Sequence, residues 1–268
     1  MPHPFAPAPN TAVTAILSPR VARVRGLGHD MLYCKRVDPA HRGIAEACEL
    51  VTREAAILGH IARTEAAPFA ARVLDEGADA YGPYLLLEPA RGVSVAASPA
   101  PRNAGGRLIT AAFRALAALH DAKAEGSSLE LVHGDISPEN VLYTENDVRF
   151  VDWELGRCKG VPELALGPFR GTLAYVAPEV AAGERPTQAA DVFSLALTLL
   201  ECLSGRTLRK LSGAAGILEA AETPIDVAGA FAPLASPESE RLRDFFDAVL
   251  ASKRADRPPD GAAALALL

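Results

Sequence analysis

The feature that most restricts the fold is the run His133-Gly134-Asp135-Ile136-Ser137-Pro138-Glu139-Asn140, followed at once by Val141-Leu142-Tyr143, the polar stretch Thr144-Glu145-Asn146-Asp147, and Val148-Arg149-Phe150-Val151-Asp152. Short apolar runs on either side of a polar turn predict a β-hairpin. In an antiparallel hairpin the residue entering the first strand and the residue leaving the second lie side by side at the open end, so Asn140 and Asp152 become neighbours. Their side chains offer hard oxygen donors, a set that suits Mg²⁺, which completes its shell with water and substrate phosphate. Asp135, on the adjoining loop, is placed to accept a proton from an attacking hydroxyl or to orient it.

The rest of the chain divides around this segment. Residues 1–10 are rich in proline, a composition that predicts a disordered, solvated tail outside the fold. Thr14 to Val37 reads as strand, turn, strand, turn, strand, broken at Ser18-Pro19 and at Gly26-Leu27-Gly28-His29-Asp30, and the last strand, Met31 to Val37, carries Lys35. Ala47, Leu50, Val51, Ala55, Leu58 and Ile61 recur at helical spacing and predict an amphipathic helix over Ile44 to Ile61. Strands return at Ala71 to Leu74 and Tyr84 to Glu88. Beyond the small-residue stretch from Ser94 to Gly106 the pattern turns helical, with one apolar stripe from Leu108 to Leu119. Another helix begins near Asp191 and runs to Ser204-Gly205, apolar on nearly every face yet too short to span a bilayer. The expectation is an α+β molecule of two lobes around a cleft: a β-rich lobe over 11–92 and a helical lobe over 93–268.

The spacing Asp135…Asn140…Asp152 resembles the catalytic loop and metal-binding aspartate of the eukaryotic-like, bacterial-type serine/threonine protein kinases. Gly171-Thr172-Leu173-Ala174-Tyr175-Val176-Ala177-Pro178-Glu179 resembles the end of their activation segment. Asp191-Val192-Phe193 resembles the start of their central helix, whose aspartate braces the catalytic loop, and Arg257 matches the arginine that pairs with Glu179. The resemblance covers nearly the whole chain and implies the bilobal protein-kinase fold. By order and spacing it makes Lys35 the lysine that contacts the α- and β-phosphates and Glu54 its helix partner. Tyr84-Leu85-Leu86-Leu87-Glu88-Pro89-Ala90 resembles the strand and hinge that hold adenine, through the Glu88 carbonyl and the Ala90 backbone. Pro89 falls between them, where its missing N–H does no harm.

Departures from the family pattern are equally specific. The glycine-rich phosphate loop belongs about fifteen residues before Lys35. The chain has Leu17-Ser18-Pro19-Arg20-Val21-Ala22-Arg23-Val24 there, without a glycine. Glycines let backbone N–H groups approach phosphate, and proline removes a donor. Arg20 is either a substitute charge or a plain surface arginine. Trp153-Glu154 follows Asp152 where Phe-Gly is usual, closer to the aminoglycoside and choline kinase relatives, and Glu154 either tunes the metal site or forms a salt bridge. Gly134 stands where regulated kinases have an arginine that receives an activating phosphate, so activation through phosphorylated Thr172 is not expected. Ser137 stands where many serine/threonine kinases have a lysine on the γ-phosphate, which predicts slow catalysis. His133 is read as a structural support of the loop.

The resemblance implies ATP and Mg²⁺ (or Mn²⁺) as cofactors and a protein substrate or regulatory protein as partner, with Asp135 as base, Asn140 and Asp152 as metal ligands, Lys35 as phosphate anchor and Glu54 as its orienter. Two alternatives stay open: a pseudokinase serving as a nucleotide-sensing or partner-binding scaffold, and a small-molecule phosphotransferase. The formal net charge of −6 argues against a nucleic-acid or anionic-membrane partner. Four scattered cysteines without zinc-ligand spacing predict neither disulfides nor a structural metal and fit the cytoplasm. The start lacks the basic and apolar regions of a signal peptide, and membrane insertion is not expected.

Overall fold

The computed structural model describes residues 4–7, 11–97, 105–164, 171–209, 216, 223–231 and 237–268. Strands β1 (Ala12–Ile16), β2 (Val21–Gly26), β3 (His29–Arg36), β4 (Val73–Asp79) and β5 (Gly82–Leu87) form one antiparallel sheet in the order β1-β2-β3-β5-β4. Side chains alternate across it, as the strand period of two requires. Ala22, Val24, Leu32, Cys34 and Leu86 share one buried face, and Phe5 packs onto them, 7% exposed. Part of the segment expected to be a solvated tail is therefore anchored to the sheet. On the other face Val37 and Leu85 meet Val51 and Ala55 of helix α1 (Ala45–Ile61). Lys35 lies opposite Leu85 in the β3–β5 register and so points to that helix-covered face.

The second lobe begins with β6 (Val93–Ser94), helix α2 (Gly105–His120) and the small hairpin β7 (Lys123–Ala124) and β8 (Ser127–Ser128). The hairpin β9 (Val141–Tyr143) and β10 (Val148–Phe150) pairs Tyr143 with Val148 and Val141 with Phe150. Beyond the ladder the Val151 N–H donates to the Asn140 carbonyl at 3.0 Å. Strand β6 pairs with β9, which ties the lobe junction to the hairpin. Gly92 precedes it at φ +121°, where a Cβ would lie 2.8 Å from the Tyr143 carbonyl oxygen, so only glycine fits this approach. Among the described residues, helices α3 (Pro178–Ala181), α4 (Gln188–Ser204), α5 (Val227–Phe231), α6 (Pro237–Val249) and α7 (Gly261–Leu265) follow. Helix α4 is buried almost all round, from Ala189 through Leu200, at the centre of a core it shares with α2 and with Phe245 and Phe246 of α6. Among the described residues no helix is long and apolar enough to cross a membrane.

Candidate active site

The loop that carries Asp135 is fixed from below by Asp191, in the first turn of α4. Its two carboxylate oxygens accept the backbone N–H of His133 (2.6 Å) and of Gly134 (2.9 Å). Asp191 in turn receives the Nε2 proton of His120 (3.3 Å), because His120 Nδ1 already accepts the Gly261 N–H (2.9 Å). His133 is equally committed. Its Nδ1 accepts the Asp135 N–H (3.3 Å), so Nε2 carries the proton and donates it to the Val151 carbonyl (3.1 Å). The His133 ring also packs on Trp153, centroids 4.6 Å apart. Gly134 holds φ +77°, and a Cβ there would sit 2.8 Å from the Leu155 carbonyl oxygen.

Above this base the hairpin brings its two polar ends to Asp135. Asn140 Nδ2 donates to the Asp135 carbonyl (2.9 Å) and to Asp135 Oδ2 (3.3 Å), which leaves Asn140 Oδ1 as its acceptor. Asp135 Oδ1 accepts the Thr172 N–H at 2.7 Å, coupling the loop to the segment that ends in Ala177-Pro178-Glu179. Burial raises the Asp135 pKa and the Asp152 charge adds to the rise, against the Thr172 hydrogen bonds. A hollow lined by Asp135, Gly171, Thr172, Tyr175 and Val176 lies beside it. Farther along the segment, Glu179 and Arg257 form a buried ion pair, and Arg257 stacks over Phe193.

Lys35 and Glu54, 19 residues apart, meet at 2.5 Å with side-chain exposures of only 7% and 1%. The strand face and the helix packed on it put them together. Asp152 Oδ1 is 2.6 Å from the same ammonium and Glu154 Oε2 is 3.2 Å from it, so three carboxylates surround one lysine. Burial alone would lower the Lys35 pKa, but Glu54, Asp152 and Glu154 together hold it above the ordinary lysine range. Glu54 also accepts the Trp153 N–H at 3.3 Å, a contact that ties α1 to the residue after Asp152. Asp152 itself adopts φ +67°, a conformation Asp and Asn tolerate better than most residues.

Arg20 is not a plain surface residue. From the β1–β2 turn it reaches Glu154 with both terminal nitrogens, Nη1 to Oε1 at 3.1 Å and Nη2 to Oε2 at 2.5 Å. Burial opposes ionisation of Glu154, yet Arg20 and Lys35 outweigh it and pull the carboxyl down to about 2. Reading along the chain left this partnership unassigned, since 134 residues separate the two groups; the missing glycines and the extra acid after Asp152 were its only local signs. Ser137 is 1% exposed, and its Oγ has no hydrogen-bond partner. Glu88 and Ala90 lie just past β5, half-buried. The Glu88 N–H donates to the Arg72 carbonyl at 2.9 Å, and its carboxylate is 3.8 Å from the Arg72 guanidinium.

The described residues thus place Lys35, Glu54 and Asp152 in one cluster and Asp135 with Asn140 in a second, joined by the hairpin. Among the described residues the carboxylates of Glu54, Asp152 and Glu154 lie close enough together to share one cation, and the Lys35 ammonium stands among them. The family described as "Protein kinase domain" matches residues 29–265. Serine/threonine-protein kinase PknL of Mycobacterium tuberculosis is 30% identical over 142 residues, spanning 50% of this chain and 34% of the relative. PknD of the same organism is 37% identical over 127 residues, 47% of this chain and 16% of the relative. CBL-interacting protein kinase 22 of Oryza sativa is 34% identical over 175 residues, 62% and 38%. This chain therefore spans well under half the length of these relatives. The solved structure of the Cydia pomonella granulovirus kinase PK-1 superposes with a TM-score of 0.70 at 18% identity, covering 95% of this chain and 92% of that one, a likeness of fold. With the family matched across both lobes, this chain belongs to the protein kinase domain family.

Proposed function

We propose that the chain is an ATP-dependent serine/threonine protein kinase of the bacterial type, transferring the γ-phosphate to a hydroxyl on another protein. One observation carries the reading: Lys35 is clamped between Glu54 and Asp152 while Asp135 and Asn140 are hydrogen-bonded to each other across the adjoining loop. Lys35 anchors the α- and β-phosphates, and Glu54 keeps its ammonium extended into the cleft. The backbone at Glu88 and Ala90 holds adenine. Asn140 and Asp152 would hold Mg²⁺ or Mn²⁺, which when bound offsets the charge of the phosphates. Asp135 orients the acceptor hydroxyl and takes its proton; the burial that raises its pKa makes it a better proton acceptor. The four cysteines are free, in keeping with a reducing compartment such as the cytoplasm.

A pseudokinase is the second reading, favoured by the β1–β2 turn, where an Arg20–Glu154 ion pair stands in place of a glycine-rich loop. The deciding experiment incubates the protein with γ-labelled ATP and Mg²⁺ or Mn²⁺, with and without a generic protein acceptor. Asp135→Ala and Asp152→Asn serve as controls, the asparagine chosen because it tolerates φ +67°. Label on protein that vanishes in both variants supports the kinase. Metal-dependent nucleotide binding without transfer moves the reading to the pseudokinase or to a small-molecule phosphotransferase lacking its acceptor.

A further inference from the structure

The β1–β2 turn faces the phosphate end of the proposed nucleotide site, and its backbone donors are already taken. The N–H groups of Leu17 and Ser18 both donate to the Val21 carbonyl, at 2.9 and 3.0 Å. Pro19 has none. The N–H groups of Arg20 and Val21 donate to the Ser18 hydroxyl, at 3.2 and 3.0 Å. From Leu17 to Val21, then, no amide is free to bind an anion, and the usual way in which this turn meets a phosphate is closed.

The turn does offer a guanidinium. Arg20 Nη1 and Nη2 grip Glu154, and Nε leans toward the Arg36 carbonyl at 3.4 Å. A guanidinium carries five N–H donors, so one on each terminal nitrogen is left over. The Arg20 side chain is 31% exposed, open enough for a ligand to reach it, and it shares Glu154 Oε2 with Lys35. Two cations, one from the β1–β2 turn and one from β3, are thus held side by side through one carboxylate, beside Asp152.

We infer that Arg20 is a phosphate-binding residue of the nucleotide site, supplying from its guanidinium the donors that the turn's backbone cannot, and that Glu154 is the positioning residue that aims it. The ligand class is a nucleoside di- or triphosphate, with Arg20 on the terminal phosphates opposite Lys35. The inference rests on the nucleotide-binding part of the proposed function.

The test is calorimetric titration of wild type, Arg20→Ala, Arg20→Lys and Glu154→Gln with Mg·ADP and, separately, with adenosine. Loss of charge-assisted hydrogen bonds to phosphate should weaken ADP binding to Arg20→Ala about 10- to 100-fold while adenosine stays within about twofold. Arg20→Lys, a charge without the fork, should fall between, and Glu154→Gln should weaken ADP selectively but less than Arg20→Ala. Equal loss for ADP and adenosine, or no loss for either, overturns the inference and leaves the ion pair a staple between lobes. Wild type that binds neither ligand overturns the nucleotide-binding reading itself, a result distinct from wild type that binds ADP as tightly as Arg20→Ala does.

Discussion

Replacing Lys35 by methionine should cost folding stability as well as any phosphate transfer. Lys35 has three acidic neighbours, Glu54 at 2.5 Å, Asp152 at 2.6 Å and Glu154 at 3.2 Å, whereas Lys35 is the one cation in contact with Glu54 among the described ion pairs. Glu54 is almost completely enclosed and keeps only the 3.3 Å Trp153 N–H if the ammonium is removed. Breaking a buried ion pair from one side costs about 3–5 kcal/mol because the remaining charge is stranded. At about 2–4 °C per kcal/mol for a domain of this size, the unfolding midpoint of Lys35→Met should drop by roughly 6–20 °C. Glu54→Gln should cost clearly less, since Lys35 retains two carboxylates. In the double variant the stranded charge is gone, and about 1–2 kcal/mol of the Lys35→Met loss should return. Urea and thermal unfolding of the four proteins at neutral pH without nucleotide measure this directly. Should Glu54→Gln prove as destabilising as Lys35→Met, or the double variant no better than Lys35→Met alone, the stranded-charge argument is wrong. The result also bears on practice: an inactive Lys35 variant would be a poor control for catalysis, and Asp135→Ala a better one.

Further outcomes follow from the same geometry. The Glu154 carboxyl is lowered from 4.5 to about 2 in the folded protein, so its contribution is complete above its unfolded pKa and is lost as pH falls from 4.5 toward 2. The stability difference between wild type and Glu154→Gln, on the order of 1–3 kcal/mol at neutral pH, should shrink across that window in urea titrations. A Gly134→Ala variant must hold φ +77° and clear the Leu155 carbonyl, and should lose more than about 1 kcal/mol by the same assay; an unchanged midpoint would contradict the close approach. Ser137→Ala should be neutral or slightly stabilising, because the buried hydroxyl has no partner to lose, while Ser137→Lys should unfold the loop and lower labelled-phosphate transfer. A gain of transfer in Ser137→Lys would show that the position opens to the cleft and would overturn this expectation.

Much of this was legible from residue order. The hairpin that joins Asn140 to Asp152 follows from two apolar runs and a polar turn, and α1, α2 and α4 follow from apolar spacing, each within a few residues of its observed bounds. Strand β4 was harder to bound. It runs to Asp79, beyond the expected Leu74, yet its later residues are exposed and carry no apolar alternation. What extends it is pairing with β5 across a turn in which Asp79 Oδ1 accepts the Tyr81 N–H at 2.8 Å. On α1 the Arg53-Glu54 pair looks by itself like a solvated face, yet both are buried, because Glu54 meets a lysine from a strand and Arg53 donates to the Gly156 carbonyl at 2.7 Å. Contacts of that kind join residues 19 and 103 positions apart and leave no periodic trace in sequence. The Arg20–Glu154 bridge belongs with them, as does Phe5, whose neighbours in the chain suggest only an extended polar-solvated stretch.

The Asp191 carboxylate has a consequence that belongs to time more than to geometry. Because it holds the amides of His133 and Gly134 from within α4, a helix buried almost all round, and is itself tied through His120 to Gly261, the loop that carries Asp135 is fastened to the core of the helical lobe. Its amide protons should exchange with solvent only when the helical lobe as a whole comes apart. The placement of Asp135 thus lasts as long as the folded state does.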